Sequence, residues 1–262
     1  MKIFDIFDEE NSRSAGTLCC FGSDFIIELC PDLDEWNAPL LFTGFVRKGI
    51  YTIPRDISLL WVRERIVPLE RQNIGAILRN HKMKEYDELR LLELSGGKCS
   101  QDRLCIRKLD TLPSYVSERM KKNLTGAFVS DENSLICFFA DGSVKRVDLR
   151  KLEGAYDTDK VLSNKQLLES GHMGSGGFFI TFNESIDVPT AVLYDLGAEL
   201  NVKKEEFLAF AKKNLLDTTE TCEALSCSRQ NVAYLVKQKA LVPIKEGVKG
   251  NLYLREDVLK NK

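Results

Sequence analysis

Apolar positions change their spacing along the chain, and each change marks a different kind of element. Leu18-Cys19-Cys20-Phe21 and Phe25-Ile26-Ile27-Glu28-Leu29 are short apolar runs parted by Gly22-Ser23-Asp24, which predicts two strands and a hairpin turn. Residues 31–39 follow as a loop rich in Pro and acids, where Pro39 blocks regular pairing. From residue 72 to residue 94 the period lengthens. Ile74, Ile77 and Leu78 fall at i, i+3 and i+4, and with Leu91 and Leu94 they predict two short amphipathic helices. Gly96-Gly97 ends the second, because glycine tolerates the left-handed backbone of a helix C-terminus. Leu104-Cys105-Ile106 reads as a further strand.

The next stretch has a βαβ-type order. Leu135-Ile136-Cys137-Phe138-Phe139 is an apolar strand, Asp141-Gly142 a hairpin turn, and residues 144–149 an alternating strand. Residues 163–170 form a short helix, Gly174-Ser175-Gly176-Gly177 a flexible loop, and Phe178-Phe179-Ile180-Thr181-Phe182 another strand. Helical spacing returns beyond residue 200. Phe207, Phe210, Ala211 and Leu215 predict a connecting amphipathic helix over 203–216. Asp217-Thr218-Thr219-Glu220 fits a capping box, in which a carboxylate and a Glu three residues on satisfy free backbone N–H groups. The helix it opens ends near Ser226-Cys227; Ser228 caps a second, whose buried stripe is Val232, Leu235 and Val236. Two short helices at so tight a turn predict a helix-turn-helix. Residues 241–245 and 251–254 flank Gly247-Val248-Lys249-Gly250 as a hairpin wing, and Arg255 opens a final helix.

Charge adds a division. The 262 residues carry 37 Lys+Arg and 39 Asp+Glu, a net of −2 that alone argues against nucleic acid. Residues 201–262 hold twelve basic and eight acidic side chains, so that stretch is +4 and residues 1–200 are −6. With 44% apolar and 29% charged residues, the composition is that of a folded soluble chain. No apolar run nears the ~20 residues of a membrane span, and residues 1–10 carry four acids and no long apolar region, so neither membrane nor secretory signal is expected. Eight cysteines without a signal point to reduced thiols in the cytoplasm, several of them buried. No C-x-x-C occurs, and neither His81 nor His172 stands at a zinc spacing from a cysteine pair, so no metal or cofactor is expected.

Three sets of residues carry family resemblances. Gly16-Thr17-Leu18 with Phe25, Pro68 and Arg71, Tyr86-Asp87 leading into Leu91-Leu92, and Gly97-Lys98-Cys99 before Leu104-Cys105-Ile106 resemble the N-terminal subdomain of HipA-type Ser/Thr kinases. That resemblance spans residues 16–107. No His-Arg-Asp-like catalytic loop or Asp-Phe-Gly-like metal site follows, so phosphoryl transfer lacks its parts. The resemblance thus implies an accessory module separated from its enzyme, similar to an antitoxin that restrains a kinase. Phe139, Asp141, Gly142, Asp148, Leu149, Leu167, Asp187, Leu193 and Tyr194 resemble a small bacterial domain of unknown function, with Ile186 where its members usually carry Trp. Its genes often lie beside small toxin-like partners, which implies protein binding. Glu220, Leu225, Ser228, Arg229, Val232, Leu235, Val236, Leu241 and Arg255-Glu256-Asp257-Val258 resemble the winged helix-turn-helix of the MerR and excisionase group. Lys239 replaces the Gly that ends the second helix in that group, so another cap is expected there.

Arg229, Gln230, Tyr234 and Lys237 fall on the helix face opposite Val232 and Val236, with Asn231 beside it, where they can enter a major groove. Arg and Gln match guanine and adenine edges, while Lys245, Lys249 and Arg255 would meet phosphates and set register. Ser228 at the helix start and Asn251 in the wing complete the candidate set. A homodimer would place two such helices about one DNA turn apart. The alternative is that this fold binds protein. Other candidates have blander readings. The glycine loop lacks the Lys-Ser/Thr of a phosphate-binding loop, and no nucleophile is motif-linked to His172. Asp32, Asp34 and Glu35 lack cation-loop spacing. Trp36, Trp61, Phe42 and Phe45 are expected in the first core, and Cys222 and Cys227 in the packing of the helix-turn-helix.

The expectation is an α+β protein of three small modules. Residues 1–123 form a β-rich α/β domain like the HipA N-terminus, 124–200 a small α/β domain, and 201–262 a linker helix with a winged helix-turn-helix. It is expected to be a non-enzymatic, cytoplasmic, DNA-binding regulator, an antitoxin-like autorepressor. Its partners would be double-stranded DNA and a protein (toxin, kinase or other target) held by residues 1–200. The second reading is a phage or bacterial inhibitor or adaptor whose helix-turn-helix serves autoregulation or scaffolding.

Overall fold

Lys2-Ile3-Phe4-Asp5-Ile6-Phe7-Asp8 mixes apolar and charged residues and forms strand β1 (Lys2–Asp8), with Ile3, Phe4 and Ile6 buried. The computed structural model describes residues 1–130, 133–200, 204–248 and 250–261, and only the backbone of residues 204, 205, 207, 208, 246–248, 250 and 254. It is an α+β structure whose chain divides into two units, residues 1–119 and 120–262, the second holding both the middle and the C-terminal segments.

The first unit is built on an antiparallel sheet. β2 (Arg13–Phe21) and β3 (Asp24–Leu29) form the expected hairpin, and the sheet continues through β4 (Thr52–Ile53) and β5 (Leu104–Leu109) in the order β4-β3-β2-β1-β5. Its helices are α1 (Thr43–Arg47), α2 (Arg55–Arg63), α3 (Ile74–Asn80), α4 (Glu88–Ser95) and α5 (Ser114–Met120). Periodicity predicts α3 and α4 but not β1, α2 or α5. Burial of Trp61 and Val62 holds α2 against the sheet. The buried Ser58 hydroxyl stitches it there, accepting from Ile27 N at 3.1 Å and donating to Ile53 O at 3.2 Å. Asp87 caps α4, and Gly96 ends it at φ 63°. Trp61 and Phe42 lie in the core and Phe45 packs partly against it, as expected. Trp36 does not: it is 88% exposed.

The second unit corrects the βαβ expectation. β6 (Leu124–Val129), β7 (Ser134–Phe139) and β8 (Val144–Asp148) pair antiparallel, with β12 (Ala198–Glu199) on the far edge of β8. The tight Asp141-Gly142 turn dictates this, because parallel neighbours need a long crossover. Helices α6 (Thr158–Ser163) and α7 (Lys165–Glu169) lead instead to a second antiparallel sheet of β9 (His172–Met173), β10 (Phe179–Phe182) and β11 (Ile186–Pro189), followed by α8 (Thr190–Leu196). The glycine loop between β9 and β10 is packed, contrary to the flexible loop expected. Asn123 Nδ2 donates to Gly176 O at 2.9 Å and Thr190 Oγ1 to Gly177 O at 2.6 Å. Gly177 has φ 72°, and a Cβ there would lie 2.0 Å from Leu124 O, so only glycine fits.

Helix α9 (Lys204–Asn214) lies on the first of these sheets. The Phe210 ring is 5.4 Å from Phe128 and 5.2 Å from Phe138, centroid to centroid, Arg146 pairs with Glu206, and Lys213 Nζ donates to Val129 O at 3.2 Å. Phe207, expected on its apolar face, has its side chain outside the described residues. Beyond α9 come β13 (Leu215–Leu216), α10 (Thr218–Ala224), α11 (Arg229–Lys237), β14 (Lys245–Val248), β15 (Gly250–Leu254) and α12 (Arg255–Leu259). β15 is the central strand of the sheet β13-β15-β14.

Candidate nucleic-acid interface

Local chemistry sets the two helices that frame the site. Asp217 Oδ1 accepts from Thr219 N at 2.6 Å and Glu220 N at 2.9 Å, while Glu220 Oε2 accepts from Asp217 N at 2.8 Å, completing the capping box of α10. The turn to α11 passes through Ser226 at φ 50°, a left-handed backbone carried by a non-glycine residue. Ser228 then caps α11, its hydroxyl accepting from Asn231 N at 3.3 Å. Val232, Leu241, Tyr253 and Val258 are buried beneath, with Leu225, Leu235, Val236, Cys222 and Cys227 packed against them. One face of α11 is therefore held, and the other is presented.

That outer face carries most of the candidate residues. Arg229, Gln230, Asn231 and Lys237 are exposed, and Tyr234 is 58% exposed. Arg229 Nη2 donates to Thr219 Oγ1 at 3.1 Å, which steers the guanidinium toward the first turn of α10. A small groove of about 290 Å³ brings Arg229 together with Asn251 on β15, over Val232, Val236 and Tyr253. Asn251 is half-buried there, its Nδ2 donating to Tyr253 Oη at 3.3 Å. Lys245 on β14 and Arg255 at the start of α12 are exposed, whereas Lys249 lies outside the described residues.

Two features of this region escape sequence reasoning. Lys239, for which another cap was expected, adopts φ 58° itself; its N–H donates to Val236 O at 3.0 Å and that of Ala240 to Leu235 O at 3.0 Å. The helix end keeps the geometry glycine would provide, using a residue that pays for it in strain. Glu256, in the first turn of α12, is 5% exposed, and its Oε2 has no hydrogen-bond partner among the described residues. Burial pushes its carboxyl up to about 7, against the opposing pull of His172, Arg255 and Lys260. His172, half-buried on β9, sits between Ser170 O at 3.0 Å and Glu184 Oε1 at 3.1 Å. Among the described residues no helix is long and apolar enough to cross a membrane. Comparison of the chain with protein-family models, curated proteins and solved structures finds no match.

Proposed function

We propose that this chain is a non-enzymatic transcriptional regulator, an antitoxin-like autorepressor, that reads double-stranded DNA with α11 and holds a protein partner through residues 1–200. The observation that carries the reading is the outer face of α11. Arg229, Gln230, Asn231, Tyr234 and Lys237 stand free of the core on a helix anchored by Val232 and entered through a left-handed turn at Ser226. Such a helix following a short first helix is the recognition element of a helix-turn-helix, with β14 and β15 as wing. Arg229 can donate both bonds of a bidentate pair to a guanine edge, Gln230 can pair one donor and one acceptor with an adenine edge, and Lys245 and Arg255 supply phosphate contacts that set register. A homodimer in the cytoplasm would engage two half-sites about one helical turn apart. Partner binding and operator binding would then shift each other by the same factor.

The test is a gel-shift titration against the region upstream of its own gene at low salt, repeated with Arg229→Ala. Specific retardation that Arg229→Ala weakens by about 1–3 kcal/mol is the expected result. No retardation of the wild-type chain at low salt overturns the DNA reading. One observation favours a second reading, a protein-binding inhibitor or adaptor: Val242 and Ile244, after α11, are 62% and 51% exposed, and apolar surface suits a protein contact better than phosphate.

A further inference from the structure

The loop between β3 and α1 holds two large apolar side chains almost wholly in water: Trp36 is 88% exposed and Leu40 94%. This exposure is built in. Asp34 Oδ1 accepts from Trp36 N at 2.9 Å and Asn37 N at 3.0 Å, and Asn37 Oδ1 accepts from Asp34 N at 2.8 Å. Arg13 Nη2 ties the loop down through Asn37 O at 2.5 Å, Arg47 pairs with Glu35 at 3.0 Å, and Leu33 is buried beneath with its carbonyl held by Tyr51 Oη at 3.0 Å. A tryptophan presented by a fixed loop loses little entropy when it is covered, which is why such residues anchor interfaces.

Trp36 and Leu40 border a cleft of about 1020 Å³ whose lining also includes Arg13, Trp61 and Arg65. Arg65 is 4% exposed, lies 3.9 Å over the Trp61 ring and pairs with Asp102. Asp8, Glu10, Glu64 and Asp102 outnumber the arginines Arg13, Arg65 and Arg103 along the cleft by one, and the adjoining loop adds Asp32 and Asp34, its Glu35 being paired with Arg47.

We propose that this cleft docks a segment of a partner protein that is basic and inserts an apolar side chain against Trp36 and Leu40. Each part answers one observation. Lys or Arg on the segment meets the excess of acids along the lining and the adjoining loop. An apolar side chain takes Trp36 and Leu40 out of water. The inference rests on the partner-binding half of the proposed function, to which it gives a location, and is independent of DNA binding.

The experiment selects a phage-displayed random dodecapeptide library on the full chain, follows binding of the enriched peptides to the wild type by tryptophan fluorescence, and measures affinities of all variants by anisotropy of fluorescein-labelled peptides. Trp36 is the exposed member of the two tryptophans, so binding is expected to shift emission to the blue. Enriched peptides should be net positive with a large apolar residue, and Trp36→Ala and Leu40→Ala should each weaken them about ten-fold or more. Both residues lie outside the core, and an unchanged melting temperature confirms the fold. Enriched acidic peptides, or affinity indifferent to both variants, overturn the cleft while leaving partner binding to another surface. No enriched peptide at all counts against both. Sedimentation of the full chain adds a last arm: a dimer that Trp36→Ala dissociates makes the occupant a second copy and overturns the foreign partner.

Discussion

The Tyr194 hydroxyl donates to Asp141 Oδ2 at 2.6 Å, joining two residues 53 positions apart. Asp141 also accepts from the Ser143 hydroxyl at 2.7 Å and from Ser143 N at 2.9 Å. Phe139 meets the Tyr194 ring edge-on at 4.9 Å, and Lys145 Nζ lies 3.6 Å over its face while donating to Tyr194 O at 2.8 Å. The Phe139, Asp141 and Tyr194 positions of the middle motif thus converge, and what they do there is lock α8 onto the β7–β8 hairpin.

Hydrogen bonds from Tyr194 and Ser143 hold the Asp141 carboxyl down to about 2. A carboxyl lowered in the folded state contributes stability above its unfolded value, and loses it as pH falls through the folded one. Tyr194→Phe should move the Asp141 titration, followed by carboxyl NMR, up toward its ordinary value near 3.8. An unmoved titration would assign the lowering to Ser143 alone. In a double-mutant cycle, Tyr194→Phe and Asp141→Asn should cost less together than the sum of each alone.

Glu28 is fully buried, with Arg119 Nη1 at 2.7 Å from Oε2 and Thr52 Oγ1 at 2.7 Å from Oε1. Burial raises its carboxyl, and the Arg119 and Thr52 contacts oppose that rise. Arg119→Ala strands the charge and should cost about 3–5 kcal/mol in urea denaturation. The sign follows from linkage: a carboxyl raised further in the folded state loses stability as pH rises, so the deficit should be larger at pH 8 than at pH 5.

Lys239 at φ 58° should yield to glycine. Lys239→Gly removes the left-handed strain of about 1 kcal/mol, partly offset by the greater freedom of glycine in the unfolded chain. A denaturant midpoint raised with an unchanged slope is the expected readout, and a lowered midpoint would contradict the geometry.

With its carboxyl raised from 4.5 to about 7, Glu256 stabilises the fold in its protonated form below pH 4.5 and progressively less as pH rises through 7. His172, Arg255, Lys260 and Asp257 are the titratable groups that act on it. Glu256→Gln should flatten this dependence and stabilise the chain at pH 8 by up to about 3 kcal/mol. Melting temperatures of both forms between pH 5 and 8 check it.

What residues within a few positions of each other can specify was legible in the sequence. The Asp217–Glu220 capping box, the Ser228 cap, the Asp141-Gly142 turn, the Gly96 helix end and the buried Val232 all appear where spacing and turn chemistry put them, because their energetics close within one turn of chain. The α+β character followed from the same local signals. Tertiary structure alone decided the rest. It set residues 124–200 into antiparallel sheets, since periodicity says that a strand exists but not which neighbour it finds. It left Trp36 in water on a cross-linked loop while burying Trp61, though both look like core residues in sequence. It buried Glu28 beside an arginine 91 residues away, and Glu256 against elements that composition cannot place. Burial belongs to whichever surfaces meet, and that is a property of the assembled chain rather than of any segment of it.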